Sequence, residues 1–305
     1  MEKPFKPWKL YGALAAGMIA FGFAPIMVRF APEASAVLIA AWRTVFASLI
    51  LLPYWWATRK PEVGKLTNKE HFQVAFAGAC LGLHFICWVT SLYYTSVASA
   101  SVLVTVHPVL VILIERLWFK RSFKWSAWVG VIFAFGGAVL LGIADSQIGQ
   151  SFANPLLGNA LALTAAIIFV IYLFIGQKIR QKKEWIDYLF PVYTYAAVTC
   201  LAVTFILGES LLDITTAGLW AGFGLAVAPQ IIGHGSTNYA VKYISPTLIS
   251  TLILVEPVLA TILAFFIFDE LPPLLSLAAM ILILFGISLT WKRDKGTRKS
   301  LDSGY

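Results

Sequence analysis

Two stretches of the sequence, SASVLVTVHPVLV at residues 99–111 and LISTLILVEPVLA at 248–260, are similar and lie 149 residues apart. The same frame aligns Pro108 with Pro257. An uninterrupted frame with matched prolines indicates an internal repeat, in which each half of the chain builds one copy of the same structure.

The composition around these stretches is that of a membrane protein. The chain has 305 residues, of which 59% are hydrophobic and 12% are charged. A soluble domain carries about 45–50% apolar and about 25% charged residues, so too few polar side chains remain here to cover a water-facing surface. The composition excludes a soluble enzyme, a disordered chain and a nucleic-acid-binding domain, although the net charge is +8.

Apolar runs bounded by proline, glycine and charge clusters predict ten membrane-spanning helices. A hydrocarbon core of about 30 Å requires roughly 20 helical residues for each crossing, and the runs have this length without the alternation of a membrane strand. The predicted spans, numbered one to ten in chain order, are 9–29, 34–57, 71–91, 97–117, 125–143, 156–177, 187–207, 216–238, 246–268 and 273–291.

Positive charge falls on one side of the predicted spans. All Lys and Arg residues except Arg29 and Arg43 lie before span one, near the loops that follow spans two, four, six and eight, or after span ten. The alternate loops carry acidic residues: Glu33, Asp145, Glu209, Asp213, Asp269 and Glu270. The positive-inside rule therefore predicts a multi-pass protein of the cell inner (cytoplasmic) membrane with both termini in the cytoplasm.

Five spans in each half invert the second half relative to the first. The basic pair Lys120-Arg121 aligns with the acidic pair Asp269-Glu270, as expected if one loop faces the cytoplasm and its equivalent faces outward. The predicted fold class is an all-α polytopic membrane protein with ten transmembrane helices in two inverted five-helix repeats. The predicted divisions are 9–143 for the first repeat, 156–291 for the second and 292–305 for a cytoplasmic basic tail.

The order of spans and motifs resembles the drug/metabolite transporter superfamily, in its EamA-type branch. The resemblance covers nearly the whole chain and implies two inverted repeats that move small metabolites, often outward. In the first half, His107 stands where the family often has a carboxylate. The residues that carry the resemblance are Arg43 in span two, Tyr94-Thr95-Ser96 before span four, Val-His107-Pro108-Val in span four, Val-Glu256-Pro257-Val in span nine, and the Asp269-Glu270 turn followed by Gly286 in span ten.

Polar and ionisable side chains at membrane depth are the candidate site residues, because a charge at a helix centre costs about 2.5–3.5 kcal/mol. His107 and Glu256 are repeat equivalents, each just before a proline. Pro108 and Pro257 are predicted hinges, since proline removes a backbone hydrogen bond. The predicted substrate-binding residues are Arg43, His84, Trp88, His107, Gln230, His234, Asn238 and Glu256.

Two pairs of interpretations stay open on the sequence alone. Glu256 is either a substrate or proton site, or a buried acid held by a neighbour such as Arg43. Gln230, His234 and Asn238 share one helix face at a spacing of four residues. They either line a cavity or make hydrogen bonds between helices.

Other features have structural expectations. Glu115 is expected to pair with Arg116 or to reach the membrane interface. Trp88 and Tyr172 are candidate stacking partners for a ligand. Spans five and ten are expected to pack closely through small residues. These small residues are Gly130, Gly136, Gly137 and Gly286.

The sequence predicts a secondary active transporter that moves a small polar metabolite, with amino acids or related metabolites exported by alternating access. A nucleotide-sugar-like exchanger is the alternative substrate class, and a channel or a membrane-embedded enzyme are alternatives of other classes. The chain has no HExxH, GxSxG or GxxxxGK[ST] motif, so enzyme activity and direct use of ATP are not expected. The expected partners are a small-molecule substrate, the lipid bilayer and protons as the candidate coupling ion. No nucleic acid, metal or other cofactor is expected, and the oligomeric state is left open.

Overall fold

The fold is all-helical in a computed structural model that describes residues 7–59, 66–95, 97–145, 154–269 and 271–301, with the backbone alone at 97–99, 142, 144, 145 and 291–301. This part of the chain contains helices and turns and no strand, which confirms the all-α fold class. Eight helical segments are long and apolar enough to cross a membrane. Two shorter apolar helices, Trp125–Leu141 and Leu274–Thr290, lie at predicted spans five and ten.

The helices follow the predicted spans, and three spans are divided into shorter elements. The first half contains α1 (Pro7–Arg29), α2 (Ala36–Thr58), α3 (Asn68–Tyr94), α4 (Val97–Val104), α5 (His107–Leu117) and α6 (Trp125–Asp145). The second half contains α7 (Pro155–Arg180), α8 (Trp185–Ile206), a 3₁₀ turn (Leu211–Asp213), α9 (Thr216–Leu225), a π-helix (Ala226–His234), α10 (Gly235–Ala240), α11 (Pro246–Ile253), α12 (Val255–Phe268) and α13 (Leu274–Leu301). The last helix continues past the predicted end of span ten at residue 291.

Polar caps fix the starts of equivalent helices in the two halves. The Thr67 hydroxyl accepts a hydrogen bond from the Glu70 backbone N–H at 3.3 Å, and the Glu70 carboxylate accepts one from the Thr67 N–H at 2.9 Å. This capping box begins α3. Thr215 caps α9 in the same way by accepting from the Gly218 N–H at 3.0 Å.

The positions and packing of the helices follow the sequence repeat. Helices α2 and α8 begin at residues 36 and 185, and α4 and α11 begin at 97 and 246, so both pairs are offset by 149 residues. Span three packs against spans six and seven, and its counterpart, span eight, packs against spans one and two. This correspondence supports the predicted two-fold relation between the halves, whose orientation in a membrane stays a prediction.

Glycines allow the same close approach in both halves. A Cβ atom added at Gly82 in α3 would lie 2.8 Å from the carbonyl oxygen of Ala196 in α8. A Cβ atom added at Gly222 in α9 would lie 3.2 Å from the Cβ of Trp42 in α2. Small residues let helix backbones pack tightly in a bilayer, where the hydrophobic effect does not press helices together.

Helices α6 and α13, which form spans five and ten, also meet through glycines. A Cβ atom added at Gly286 would contact the Ala134 backbone and lie 2.5 Å from the Gly130 carbonyl oxygen, and one at Gly137 would also contact α13. Gly136 faces open space, with no atom within 4 Å of an added Cβ. The expectation of close packing is therefore wrong for Gly136, because its side of α6 points away from α13.

Three spans are interrupted near their middles. Span four breaks between Val104 and His107, span nine breaks at Leu254, and span eight contains the π-helix Ala226–His234. Interrupted helices leave backbone groups without their usual partners, and in a membrane this is tolerated where the helices line a protein interior or a cavity. The interruptions lie beside several predicted site residues.

Candidate functional site

The break in span four follows from Pro108. Proline has no backbone N–H, so the carbonyl oxygen of Val104, four residues earlier, loses its helical donor. The His107 ring fills this role, with Nδ1 2.9 Å from the Val104 oxygen. Because a carbonyl oxygen only accepts, Nδ1 is the donor and Nε2 of the neutral ring is an acceptor. Nε2 is buried and has no hydrogen-bond partner among the described residues.

The break in span nine brings Glu256 to the equivalent place. Glu256 is the second residue of α12, directly before Pro257. Its side chain is partly buried, and within the described part of the chain it makes no hydrogen bond or ion pair. Arg43 is close enough to act on it electrostatically. The two charges therefore share one region without forming a direct salt bridge.

Arg43 is held by other groups. Its side chain is 1% exposed, and its Nε donates to Gln230 Oε1 at 3.1 Å. The guanidinium carbon lies 3.7 Å from the ring centroid of Phe85, in cation–π geometry. Gln230, and not Glu256, is thus the direct polar partner of Arg43, which fixes the guanidinium beside the break in span nine.

The π-helix presents Gln230 and His234 to this region. The Gly235 backbone N–H bonds to the Gln230 carbonyl oxygen five residues earlier, as a π-turn requires. The same oxygen accepts from the Tyr193 hydroxyl of α8 at 2.5 Å. A side chain from a neighbouring helix therefore supports the widened turn, and π-turns frequently occur at functional sites.

Two histidines meet at the centre of the region. His84 Nδ1 donates to the carbonyl oxygen of Ala165 at 2.9 Å, and the His84 and His234 ring centroids are 6.2 Å apart. His234 Nδ1 is buried without a partner among the described residues. The ring of His234 has aromatic neighbours with centroids at 4.9 Å (Phe21), 5.2 Å (Phe85), 5.8 Å (Phe169) and 6.3 Å (Tyr172).

These side chains surround a small cavity of about 50 Å³. A water molecule needs at least about 10–15 Å³ of such space, so the cavity holds a few waters and is too small for a metabolite. A larger ligand requires the lining helices to separate. The lining residues are Phe21, Ala24, Arg43, His84, Phe85, Trp88, Val104, Thr105, His107, Phe169, Pro229, His234, Ile253 and Glu256.

Most predicted site residues come together, and two lie behind the cavity wall. Arg43, His84, Trp88, His107, His234 and Glu256 line the cavity. Gln230 supports Arg43 from behind. Asn238 donates through Nδ2 to the His234 carbonyl oxygen at 2.7 Å and to the Tyr172 hydroxyl. The face of span eight is therefore divided, since His234 lines the cavity while Gln230 and Asn238 make hydrogen bonds.

Sequence reasoning missed much of the wall. Phe21, Phe85 and Phe169 line the cavity, but nothing in an apolar sequence separates them from lipid-facing phenylalanines. Tyr172, a predicted stacking partner, is absent from the lining and lies behind His234. Pro229 had a usable signal, because a proline within an apolar run marks an interrupted helix.

Glu115 forms a separate contact between the halves. Its fully buried carboxylate accepts hydrogen bonds from Arg121 and from Thr247 in α11. The expected pairing with Arg116 is wrong. The chain turns after α5 and brings Arg121 back to the carboxylate. The contact ties α5 to α11 at the predicted cytoplasmic ends of spans four and nine.

Comparisons with known proteins agree with this architecture. A model of the EamA-like transporter family matches residues 8–143 and 156–292. YdfC, an uncharacterized transporter of Bacillus subtilis, is 23% identical over 257 residues, covering 83% of this chain and 81% of that protein. An S-adenosylmethionine uptake transporter of Rickettsia bellii is 24% identical over 268 residues, covering 86% of each chain. A probable terminal-alkyne amino-acid exporter of Streptantibioticus cattleyicolor is 22% identical over 201 residues, covering 66% of each.

A solved crystal structure has the same fold. Its chain superposes with a TM-score of 0.75 at 16% sequence identity, and the match covers 94% of this chain and 99% of that one. At this identity the similarity shows the fold alone.

Proposed function

Because the chain belongs to the EamA-like transporter family, we propose that it is a secondary transporter of amino acids or related zwitterionic metabolites that works by alternating access. The transport role rests on the family and on relatives that are named as transporters. The substrate class and the mechanism are our proposal.

One observation carries the substrate class: the cavity wall holds one cationic and one anionic side chain that do not pair with each other. Arg43 offers guanidinium N–H groups, which suit a carboxylate. Glu256 offers carboxylate oxygens, which suit an ammonium group. An α-amino acid carries both groups, so it can complete both partners at once. Two relatives have names consistent with this class, one an amino-acid exporter and one a transporter of S-adenosylmethionine.

The remaining polar atoms favour the same orientation. His107 Nε2 is an acceptor without a partner in the described structure, and it belongs to the position equivalent to Glu256. Acceptors on both interrupted helices suit a ligand with several N–H donors. The phenylalanine rings near His234 supply apolar surface for the rest of the ligand. Two phosphates of a nucleotide sugar would need more cations than Arg43 provides.

We propose that alternating access uses the breaks in spans four and nine. Each break lies within three residues of a site residue, so a change in bend moves the cavity wall directly. In the proposed topology both termini lie in the cytoplasm of a cell with the protein in its inner membrane, and transport runs outward. Glu256 is our candidate for exchanging the coupling proton.

Counterflow in proteoliposomes tests the proposal. Purified protein is reconstituted with unlabelled internal amino acids, S-adenosylmethionine or nucleotide sugars, and uptake of the labelled compound is measured. We expect internal amino acid to stimulate uptake, since a carrier returns faster when loaded. Trans-stimulation by nucleotide sugars alone would replace the substrate class. Flux without trans-stimulation would indicate a channel, and chemical conversion of the substrate would indicate an enzyme.

Glu256→Gln tests the role of the carboxyl group. The substitution keeps the size and removes the charge, so we expect a folded protein with altered transport or an altered pH dependence of transport. The measurement is initial rate across a pH series, with circular dichroism as the control for folding. An unchanged rate and pH profile would make Glu256 structural and would leave the proposed proton site without support.

A further inference from the structure

A second group of polar side chains lies beyond the cavity, between spans six, seven and eight. Tyr188 of α8 is 0% exposed, and its hydroxyl has no hydrogen-bond partner among the described residues. Leaving a buried hydroxyl unsatisfied costs about 1–3 kcal/mol. A buried polar atom of this kind in a native fold is normally satisfied by an ordered water.

Space for a water exists beside Gly176 of α7. A Cβ atom added there would lie 2.9 Å from the Tyr188 hydroxyl and 3.5 Å from Asn238 Oδ1. Both polar atoms therefore face one point that stays empty because residue 176 has no side chain. A water at that point has a donor and an acceptor within reach, which is the setting in which buried water is retained.

The group continues the polar side of span eight away from the cavity. Asn238 Nδ2 donates to the His234 carbonyl oxygen at 2.7 Å, and His234 lines the cavity. On the other side, Arg180 Nε donates to the Asn238 carbonyl oxygen at 2.9 Å. Arg180 is one helical turn from Gly176 and ends α7, where the predicted cytoplasmic loop begins. The polar atoms thus lead from the cavity to the cytoplasmic end of span six.

The equivalent place in the first half is apolar. At the repeat offset of 149 residues, Tyr188 corresponds to Ile39 and Asn238 corresponds to Val89. Ile39 and Val89 belong to one buried apolar cluster that also contains Ala24 and Val28. The five-helix fold therefore forms without polar side chains at these positions, so their presence in the second half has a cause other than folding.

We propose that the space beside Gly176 binds ordered water between Tyr188 and Asn238, and that this hydrated group forms the cytoplasmic half of the translocation route. Water here solvates the polar groups of a ligand as it passes between His234 and Arg180. The water site stands on the geometry alone, whereas its place on the route rests on the proposed transport function.

Gly176→Ala tests the proposal, because the added methyl group takes the place of the water. The matched control is Gly136→Ala, whose methyl group meets open space on α6. The first readout is oxidation of Tyr188 by hydroxyl radicals generated in bound water by X-rays. We expect labelling in wild type and in Gly136→Ala, and at least about a fivefold loss in Gly176→Ala. Absence of Tyr188 labelling in wild type, or equal labelling in all three proteins, would overturn the water site.

The second readout tests the route and needs no knowledge of the substrate. Asn238→Cys is treated with a membrane-impermeant methanethiosulfonate reagent in right-side-out and inside-out vesicles. We expect modification from the cytoplasmic face, with at least about a fivefold slower rate when Gly176→Ala is added. Modification from the external face alone, or the same rate with and without Gly176→Ala, would overturn the route. If counterflow fails while these results hold, the transport proposal fails and the hydrated group stands.

Discussion

Gln230→Leu should separate recognition of a carboxylate from recognition of an ammonium group. Gln230 Oε1 accepts the 3.1 Å hydrogen bond that fixes Arg43, and both residues are almost fully buried. The substitution removes this acceptor and keeps a side chain of similar size. The bond from Tyr193 to the Gln230 backbone oxygen does not involve the replaced atoms, so the π-helix should persist.

The size of the effect follows from the lost bond. A hydrogen bond to a charged group contributes about 1.5–3 kcal/mol. If this energy holds the guanidinium in its binding orientation, its loss lowers the affinity for a carboxylate ligand by roughly 10- to 150-fold. The affinity for the matching amine without a carboxylate should change less than about twofold, because Glu256 is untouched.

The assay is equilibrium binding to protein in nanodiscs, with labelled amino acid and the corresponding decarboxylated amine as competitor. Gln181→Leu, the same substitution at an exposed position at the end of α7, is the matched control. Thermal stability of each variant excludes unfolding. Equal loss of affinity for both ligands, or no loss for either in a stable protein, would refute the assignment of Arg43 to the carboxylate.

Three further predictions concern the framework. Pro108→Ala and Pro257→Ala should slow transport more than they weaken binding, because a restored helical bond stiffens the bend; wild-type turnover in both would exclude them as hinges. Gly286→Ala should destabilise the protein by about 1–3 kcal/mol in thermal or denaturant unfolding, while Gly136→Ala should have little effect; equal losses would contradict the close contact of α6 and α13. Lys65→Cys should react with an impermeant thiol reagent from the cytoplasmic side alone, and reaction from outside would reverse the proposed topology.

The spans could be predicted from the sequence because length and apolarity are local properties. The prediction also found the cavity-lining ionisable residues, since a charged or histidine side chain at membrane depth must face protein or water. These constraints hold whatever the helices pack against. They explain why His107 and Glu256 were recognised before any contact was known.

The partners of these residues could not be predicted in the same way. Arg43 bonds to Gln230, although Glu256 was the partner considered from the sequence. The choice depends on how span eight is rotated, and the π-helix changes that rotation. Glu115 pairs with Arg121 for a similar reason, because the turn after α5 decides which basic residue returns to it.

The π-helix in span eight has a consequence for the symmetry of the site. The caps Thr67 and Thr215 lie 148 residues apart, whereas α4 and α11, the helices that follow, start 149 residues apart. The second half therefore has one residue more between these points, and a π-turn is the form in which a helix holds an extra residue. Deleting one residue between Ala226 and His234 would restore equal counting and turn the following residues by about 100°. The ligand thus meets two walls of common descent that are out of step by one residue, and this offset makes the chamber handed.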